Sequence, residues 1–401
     1  MDEAVRPKDQ LGVGSLSISD LEKQYVNEVL DSNRLSYGPF SQLFEQQFAG
    51  AHHVRRAVLC NSGTSALHVA LLALKEKYRW QDGDEVLVPA MTFVATSNAV
   101  LMAGLTPVFV DIDRRAYTLD PELVEARITP RTRAIIPVHM FGLPAHMAPI
   151  MALAQRHGLR VVEDSCEAMF VSVDGKPVGS HGDIGCFSTY VAHFLVTGVG
   201  GLAVTDDDDL AVIMRSLCNH GRDGIYLSID DDQGKSSEEL SLIVGKRFQF
   251  VRLGHSYRIT EMEAALGLAQ MERKDEILAA RRRNAAALVE GLRPLERRGL
   301  LQLPSEPHYA QHAFMIFPIV ITDPGVSRQE LTLALEERLI ETRPMMPLIN
   351  QPLYLERFGD IEEEYPVARW TNSNGFYIGC HQGFGEAELG YIVETFRELL
   401  R

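Results

Sequence analysis

Four short stretches of the chain hold residue types that could do chemistry. In "CNSGTSALHVAL" (60–71) a strand-like run ends, turns on Asn61–Gly63 and opens a helix at Thr64. Free backbone amides at a helix start, beside a hydroxyl, make an anion site. Gly63 would let a backbone approach closely, and Thr64 or Ser65 would supply the hydroxyl. The structural alternative is an N-capped helix with no ligand. In "VVEDSCEAM" (161–169) Asp164 closes an apolar run. Its carboxylate could pair with a protonated ring nitrogen, or simply cap the next turn. In "PAMTFVATSNAV" (89–100) Phe93 could stack on a planar ligand or join the core. In "CFSTYVAHFLVTGVGG" (186–201) Ser188 offers a second hydroxyl for an anion, and His193 offers a base near neutral pH. Beside Phe194 and Leu195, His193 could equally be structural.

The elements that must position these residues are legible in outline. Up to about residue 205, short β-branched runs alternate with amphipathic segments. The strand candidates are 57–60, 85–89, 107–111, 134–139, 160–164, 184–190 and 201–205, about seven in all. Strands that are apolar throughout and alternate with helices predict an α/β fold with a mostly parallel sheet covered on both faces. Such sheets bind ligands at the carboxyl ends of their strands. All four stretches lie there. From about Arg258 the pattern changes to one long helix over 260–292, a strand at 314–322 and further helices, a smaller C-terminal α/β domain. The expected division is a large domain over 1–255 and a small one over 256–401.

Composition narrows the classes of function. A chain of 401 residues is long enough for two cores, and a net charge of −15 argues against nucleic-acid or membrane-surface partners. An anionic substrate would need a local cluster of cations. "MDEAVRPKDQ" has no apolar core of a signal peptide, and no apolar run is long enough to span a membrane. The five cysteines are scattered without C-x-x-C spacing, which suits a reducing cytoplasm and offers no metal or iron–sulfur ligand set.

Taken together and in this order, the stretches resemble the DegT/StrS family of sugar aminotransferases, pyridoxal-phosphate (PLP) enzymes of the aspartate-aminotransferase (type I) fold. The likeness includes "LSYGPFSQLFEQQFA" (35–49), "NSGTSALHVAL", "VPAMTFVATSNAV", "TPVFVDID", "VVEDSCEA", "FSTYVAH" with "TGVGG", and "LGHSYRITEMEAALGLAQMER" (253–273). The resemblance implies that Asp164 pairs with the pyridine nitrogen and Phe93 stacks on the ring. It makes Gly63, Thr64 or Ser65, and Ser188 phosphate ligands, and puts Glu167 at the ring hydroxyl. "LGHSYR" matches a stretch that usually reads L-G-x-N-Y-R and contacts the neighbouring subunit's phosphate; Ser256 stands where that pattern has asparagine. A homodimer with shared active sites is implied. Arg343 in "IETRPMMPL", Arg247 and His381 are candidates for substrate binding, with Arg222, Lys246 and Arg258 as further cations.

His193 stands where most of that family has its cofactor-binding lysine. Histidine can move a proton but cannot hold the cofactor covalently. A minority branch is similar in this: pyridoxamine-phosphate (PMP)-dependent 3-dehydratases of nucleotide-linked 4-keto-6-deoxy sugars. That likeness implies PMP/PLP bound non-covalently, His193 as base, loss of the C3 hydroxyl, and an amino acid such as glutamate regenerating the cofactor. One subtype carries a four-cysteine iron–sulfur cluster, but only Cys186 and Cys218 lie mid-chain here, so the cluster-free subtype fits. Two other readings stand beside it: a sugar aminotransferase, and a non-catalytic cofactor-binding homologue.

Overall fold

The computed structural model describes residues 7, 9–223, 234–246 and 248–401. Strands β1 (Arg56–Cys60), β2 (Glu85–Pro89), β3 (Thr106–Val110), β4 (Thr132–Ile135) and β5 (Arg160–Asp164) alternate with helices. A small hairpin follows, β6 (Ser172–Val173) and β7 (Lys176–Pro177), then β8 (Ile184–Ser188) and β9 (Gly201–Thr205). Seven of these form one sheet in the order β1-β9-β8-β5-β4-β2-β3. Only the pairs made by β9 run antiparallel. The seven-stranded, mostly parallel sheet is as expected. The strand expected at 134–139 stops early because Pro137 has no amide for the ladder.

A second sheet, β10-β11-β13-β12, is antiparallel throughout: Leu301–Gln302, Phe317–Ile321, Gly375–Ile378 and Arg343–Pro344 in that order. It faces the helices Lys274–Arg297 and Glu386–Leu399 across a separate apolar core that includes Leu288, Phe317, Phe376 and Phe396. The single long helix expected from 260 is two helices, Glu261–Met271 and Lys274–Arg297. Arg273 leaves helical geometry (φ −106°, ψ 5°) in the polar "ERKDE" stretch. The break lets the first helix stay on the large domain, where Gly267 sits against the Phe44 ring, while the second crosses the small sheet.

The packing also crosses the expected 255/256 boundary in both directions. Leu11 joins the small core and pairs with Ile340. Residues of 345–368 return to the large core: Asp111 accepts from the amides of Val367 (2.9 Å) and Ala368 (2.8 Å), and Tyr354 packs on Phe109. No helix among the described residues is long and apolar enough to cross a membrane.

The centre of the sheet carries a buried carboxylate. Glu163, fully enclosed, accepts from His139 Nε2 (3.1 Å) and from the amides of Gly179 (2.8 Å), His181 (2.6 Å) and Gly182 (2.7 Å). His139 Nδ1 accepts from the Ala145 amide, so its hydrogen sits on Nε2. Burial alone would push the Glu163 carboxyl up and suppress its ionisation, but the hydrogen bonds it accepts and the attraction of the His139 and His181 rings outweigh this, and the net shift is down. A lowered folded value means the stabilisation is complete above the unfolded value of about 4.3 and is lost as pH falls through the folded one. Glu163→Gln should therefore cost about 3 kcal/mol at neutral pH, with the gap to wild type closing in acid. Urea melts at pH 7 and below pH 4 check this; an equal gap at both would refute it.

Candidate active site

The ends of β1, β5 and β8 converge on Gly63. A Cβ there would lie 2.8 Å from Cys166 Sγ and 2.8 Å from Ser188 Cβ. From the fourth side, a Cβ on Gly201 would meet the Gly63 nitrogen at 2.6 Å. Only glycine fits at either point. Ser62 caps the helix Gly63–Tyr78 by accepting from the Ser65 amide (3.0 Å), which leaves the Gly63 and Thr64 amides uncapped. The two hydroxyl candidates separate here. Ser65 spends its hydroxyl inside the turn, on Asn61 Oδ1 (2.6 Å) and Ser62 Oγ (2.9 Å). The Thr64 hydroxyl makes no hydrogen bond among the described residues. Among the described residues, the Ser188 hydroxyl accepts one long bond (3.4 Å), from the Tyr190 amide. Gly63, Thr64 and Ser188 thus present donors that could cradle an anion, and Ser65 braces the turn from within.

Asp164 lies next to this cradle, 4% exposed. It accepts from the Cys166 amide (3.2 Å) and from the Thr96 hydroxyl (2.7 Å). Thr96 is a site residue that sequence reasoning missed, although its i, i+4 spacing from Thr92 in "MTFVAT" is a signal; the two hydroxyls are 2.9 Å apart. Phe93 caps the same helix, Val94–Met102, and is 58% exposed. A core role for this ring is excluded. An exposed aromatic face, a buried carboxylate and an anion cradle fit a flat, nitrogenous, phosphorylated cofactor.

Glu167 is 8% exposed and accepts from the Phe141 amide at 2.6 Å. Phe141 holds a left-handed backbone (φ 61°) to aim that amide, a conformation an aromatic residue rarely adopts. Burial first, and then the charge of Asp164, push the Glu167 carboxyl up to about 7 against the pull of the Phe141 bond. Tyr377 faces Glu167 from β13 and lies opposite Arg343 in the sheet; burial and Glu167 raise its hydroxyl, and Arg343 lowers it. Tyr377 is a second residue the sequence did not single out.

His193 sits in the turn between β8 and β9, half-buried. Its amide bonds the Tyr190 carbonyl (2.9 Å), and its Nδ1 is covered without a partner among the described residues. Burial, then the Arg281 guanidinium, push its imidazolium down to about 4. At pH 7 the ring is neutral. Phe194 and Leu195 are fully enclosed and anchor the turn. Gln270 clamps Val196 by both its amide (2.7 Å) and its carbonyl (2.6 Å).

The substrate candidates fare differently. Arg343 is exposed and paired with Glu341, which also accepts from the Val13 amide (2.7 Å). His381 is enclosed (5% exposed); its Nδ1 accepts from Gly383 (3.1 Å) and it faces the Gly12 carbonyl, so it offers no polar atom to a ligand here. Arg247 lies outside the described residues. Ser256 is expected at the neighbouring subunit's phosphate, not at this chain's own. With Arg222 and Arg258 it lines a separate cavity of about 600 Å³. Lys246 pairs with Asp223. No cluster of three metal-ligating side chains occurs among the described residues, and all five cysteines are free.

The model of the DegT/DnrJ/EryC1/StrS aminotransferase family matches residues 17–397. The chain belongs to that family. It is 35% identical over 398 residues to GDP-perosamine synthase of Caulobacter vibrioides, covering 98% of each chain. Its fold superposes on the E. coli GDP-4-keto-6-deoxy-D-mannose-3-dehydratase with bound hydrated PLP at a TM-score of 0.86, with 27% identity, 98% of this chain and 100% of that one. A GDP-4-keto-6-deoxymannose-3-dehydratase with a trapped PLP–glutamate geminal diamine gives a TM-score of 0.85 at 27% identity, covering 97% and 99%.

With a folded value near 7, the Glu167 carboxyl costs nothing below the unfolded value of about 4.3 and progressively destabilises as pH rises toward 7. Glu167→Gln should therefore gain on wild type between pH 4 and pH 8, by on the order of 3 kcal/mol in cofactor-free protein. Thermal melts at the two pH values read this directly. A constant difference would show that Glu167 ionises normally.

Proposed function

We propose that the protein is a PLP/PMP-dependent enzyme of nucleotide-linked sugars, and specifically a 3-dehydratase of a nucleotide-linked 4-keto-6-deoxyhexose. The observation that carries this is His193: a neutral imidazole on an anchored turn, at the position where the family resemblance expects lysine. Three described lysines are engaged elsewhere: Lys75 with Asp82, Lys77 with Asp207 and Lys176 with the Ser180 carbonyl. Without that lysine the cofactor is held non-covalently, by Gly63, Thr64 and Ser188 at its phosphate, Asp164 at its ring nitrogen, Phe93 on its face and Glu167 at its hydroxyl. When bound, the cofactor supplies an amine for the sugar ketone and an electron-drawing ring. Because His193 Nδ1 is covered, the proton is taken at Nε2. Thr96 keeps the Asp164 carboxylate oriented toward the ring. Arg343 meets the nucleotide sugar, and glutamate restores the amine.

The family description favours one second reading, a sugar aminotransferase that works without covalent attachment. Incubation of PMP-loaded enzyme with glutamate and nucleotide-linked 4-keto-6-deoxy sugars separates the two by product mass. A product that has lost an oxygen supports the dehydratase; an amine in place of the ketone supports the aminotransferase. His193→Lys should cut dehydration by about a hundredfold and allow borohydride trapping of cofactor on the new lysine. Unchanged dehydration in that variant would remove His193 from its role.

A homodimer belongs to the same reading. The segment beside the Ser256 cavity exposes Phe248 (81%), Leu253 (92%) and Val244 (61%), an apolar strip that a second copy would cover. Leu253→Glu should convert a dimer to monomer by light scattering and lower activity with it. A wild-type protein that is monomeric at working concentration would refute the shared site.

A further inference from the structure

Arg281, on the helix Lys274–Arg297, is fully buried and has no carboxylate partner among the described residues. Its guanidinium donates to the carbonyls of Met315 (2.6 Å) and Phe314 (3.4 Å) and lies 3.5 Å from the carbonyl of His193. The Phe194 ring is stacked below it, 4.8 Å from centroid to Cζ, and Nε has no partner. Cys380 and His381 complete its surroundings, and neither compensates the charge. Burial pushes the Cys380 thiol up to about 12 and the His381 imidazolium down to about 4. An enclosed cation that faces only carbonyls, a ring and neutral groups carries a large desolvation cost, whereas methionine would fill similar space without it. Packing alone does not explain the residue.

Every polar contact of Arg281 falls on one of two segments: the turn that carries His193, and the 314–315 stretch that leads into β11 of the small domain. We propose that Arg281 is the positioning residue of the base: it ties the His193 turn to the small domain and so fixes where the imidazole stands. This rests on the reading of His193 as the base. The charge acts on the same group, because among the described residues Arg281 is the side-chain charge that bears on His193, with burial the larger cause of its low value. Tyr190, with its ring 6.3 Å away edge-on, faces the imidazole from its own turn, and Cys380 and His381 flank the guanidinium from the other side.

The test compares Arg281→Met and Arg281→Lys in full-length, PMP-loaded enzyme. Histidine ring resonances are followed against pH by NMR, with His193→Asn used to assign the signal, and kcat and KM are measured in parallel. Arg281→Met should raise the His193 titration by about one unit and move the acid limb of the rate profile to higher pH by the same amount. Its kcat should fall about tenfold, with KM for the nucleotide sugar within about twofold. Arg281→Lys keeps the charge but not the fork, so the titration should stay low while kcat still falls. An unshifted His193 titration and unchanged kcat in Arg281→Met would overturn the proposal. Should that variant fail to fold, an unchanged kcat in Arg281→Lys would overturn it equally. A shifted titration combined with full dehydration by His193→Asn would uphold the positioning and instead defeat the reading of His193 as base.

Discussion

The site depends on one constraint, the placement of two adjacent carboxylates at the end of the central strand β5. Neighbouring strand residues point to opposite faces of a sheet. Glu163 therefore turns into the protein and Asp164 into the site. Glu163 gathers His139 and three amides of the 179–182 turn, which fixes the approach to β8. Asp164 takes the Thr96 hydroxyl and the Cys166 amide, which fixes the helix bearing Phe93 and the turn bearing Glu167. Both charges are enclosed, so each must be met by donors. The segments that supply those donors are the segments that build the site.

The same electrostatic logic separates the roles of the acidic groups. Glu163 is surrounded by donors and ionises easily, while Glu167 receives one amide and faces a like charge, so it stays near the point of holding its proton at neutral pH. His193 is kept neutral by enclosure and a nearby cation. A protonatable carboxyl and an unprotonated imidazole thus coexist at one pH, the condition for moving protons in both directions.

His193 is held from three sides, and this accounts for the apolar residues after it. Phe194 and Leu195 are buried anchors, Gln270 clamps Val196, and Gly14 lies against Ala192, where a Cβ would be 3.0 Å from the Ala192 Cα. The N-terminal stretch thereby reaches the site, and through Val13 it also touches Glu341 and so Arg343.

The alternation of apolar runs and amphipathic helices determined the parallel sheet, and chemistry-bearing turns at strand ends pointed to the candidate site. Both are local patterns, set by backbone period and by the choice of glycine, hydroxyl or acid at a turn. The identity of His193, which separates proton transfer from covalent attachment, was also legible from one position. Tertiary structure alone decided the rest. It turned Ser65 inward and left Thr64 free, because four strand ends compete for one helix start. It enclosed His381 and exposed Phe93, reversing what each residue type suggests by itself. It placed Thr96, Tyr377, Phe141 and Arg281, whose partners lie from 26 to 88 positions away along the chain or on another sheet. Contacts of that range leave no period in a sequence, and burial, which sets the charge states, exists only once the chain has folded.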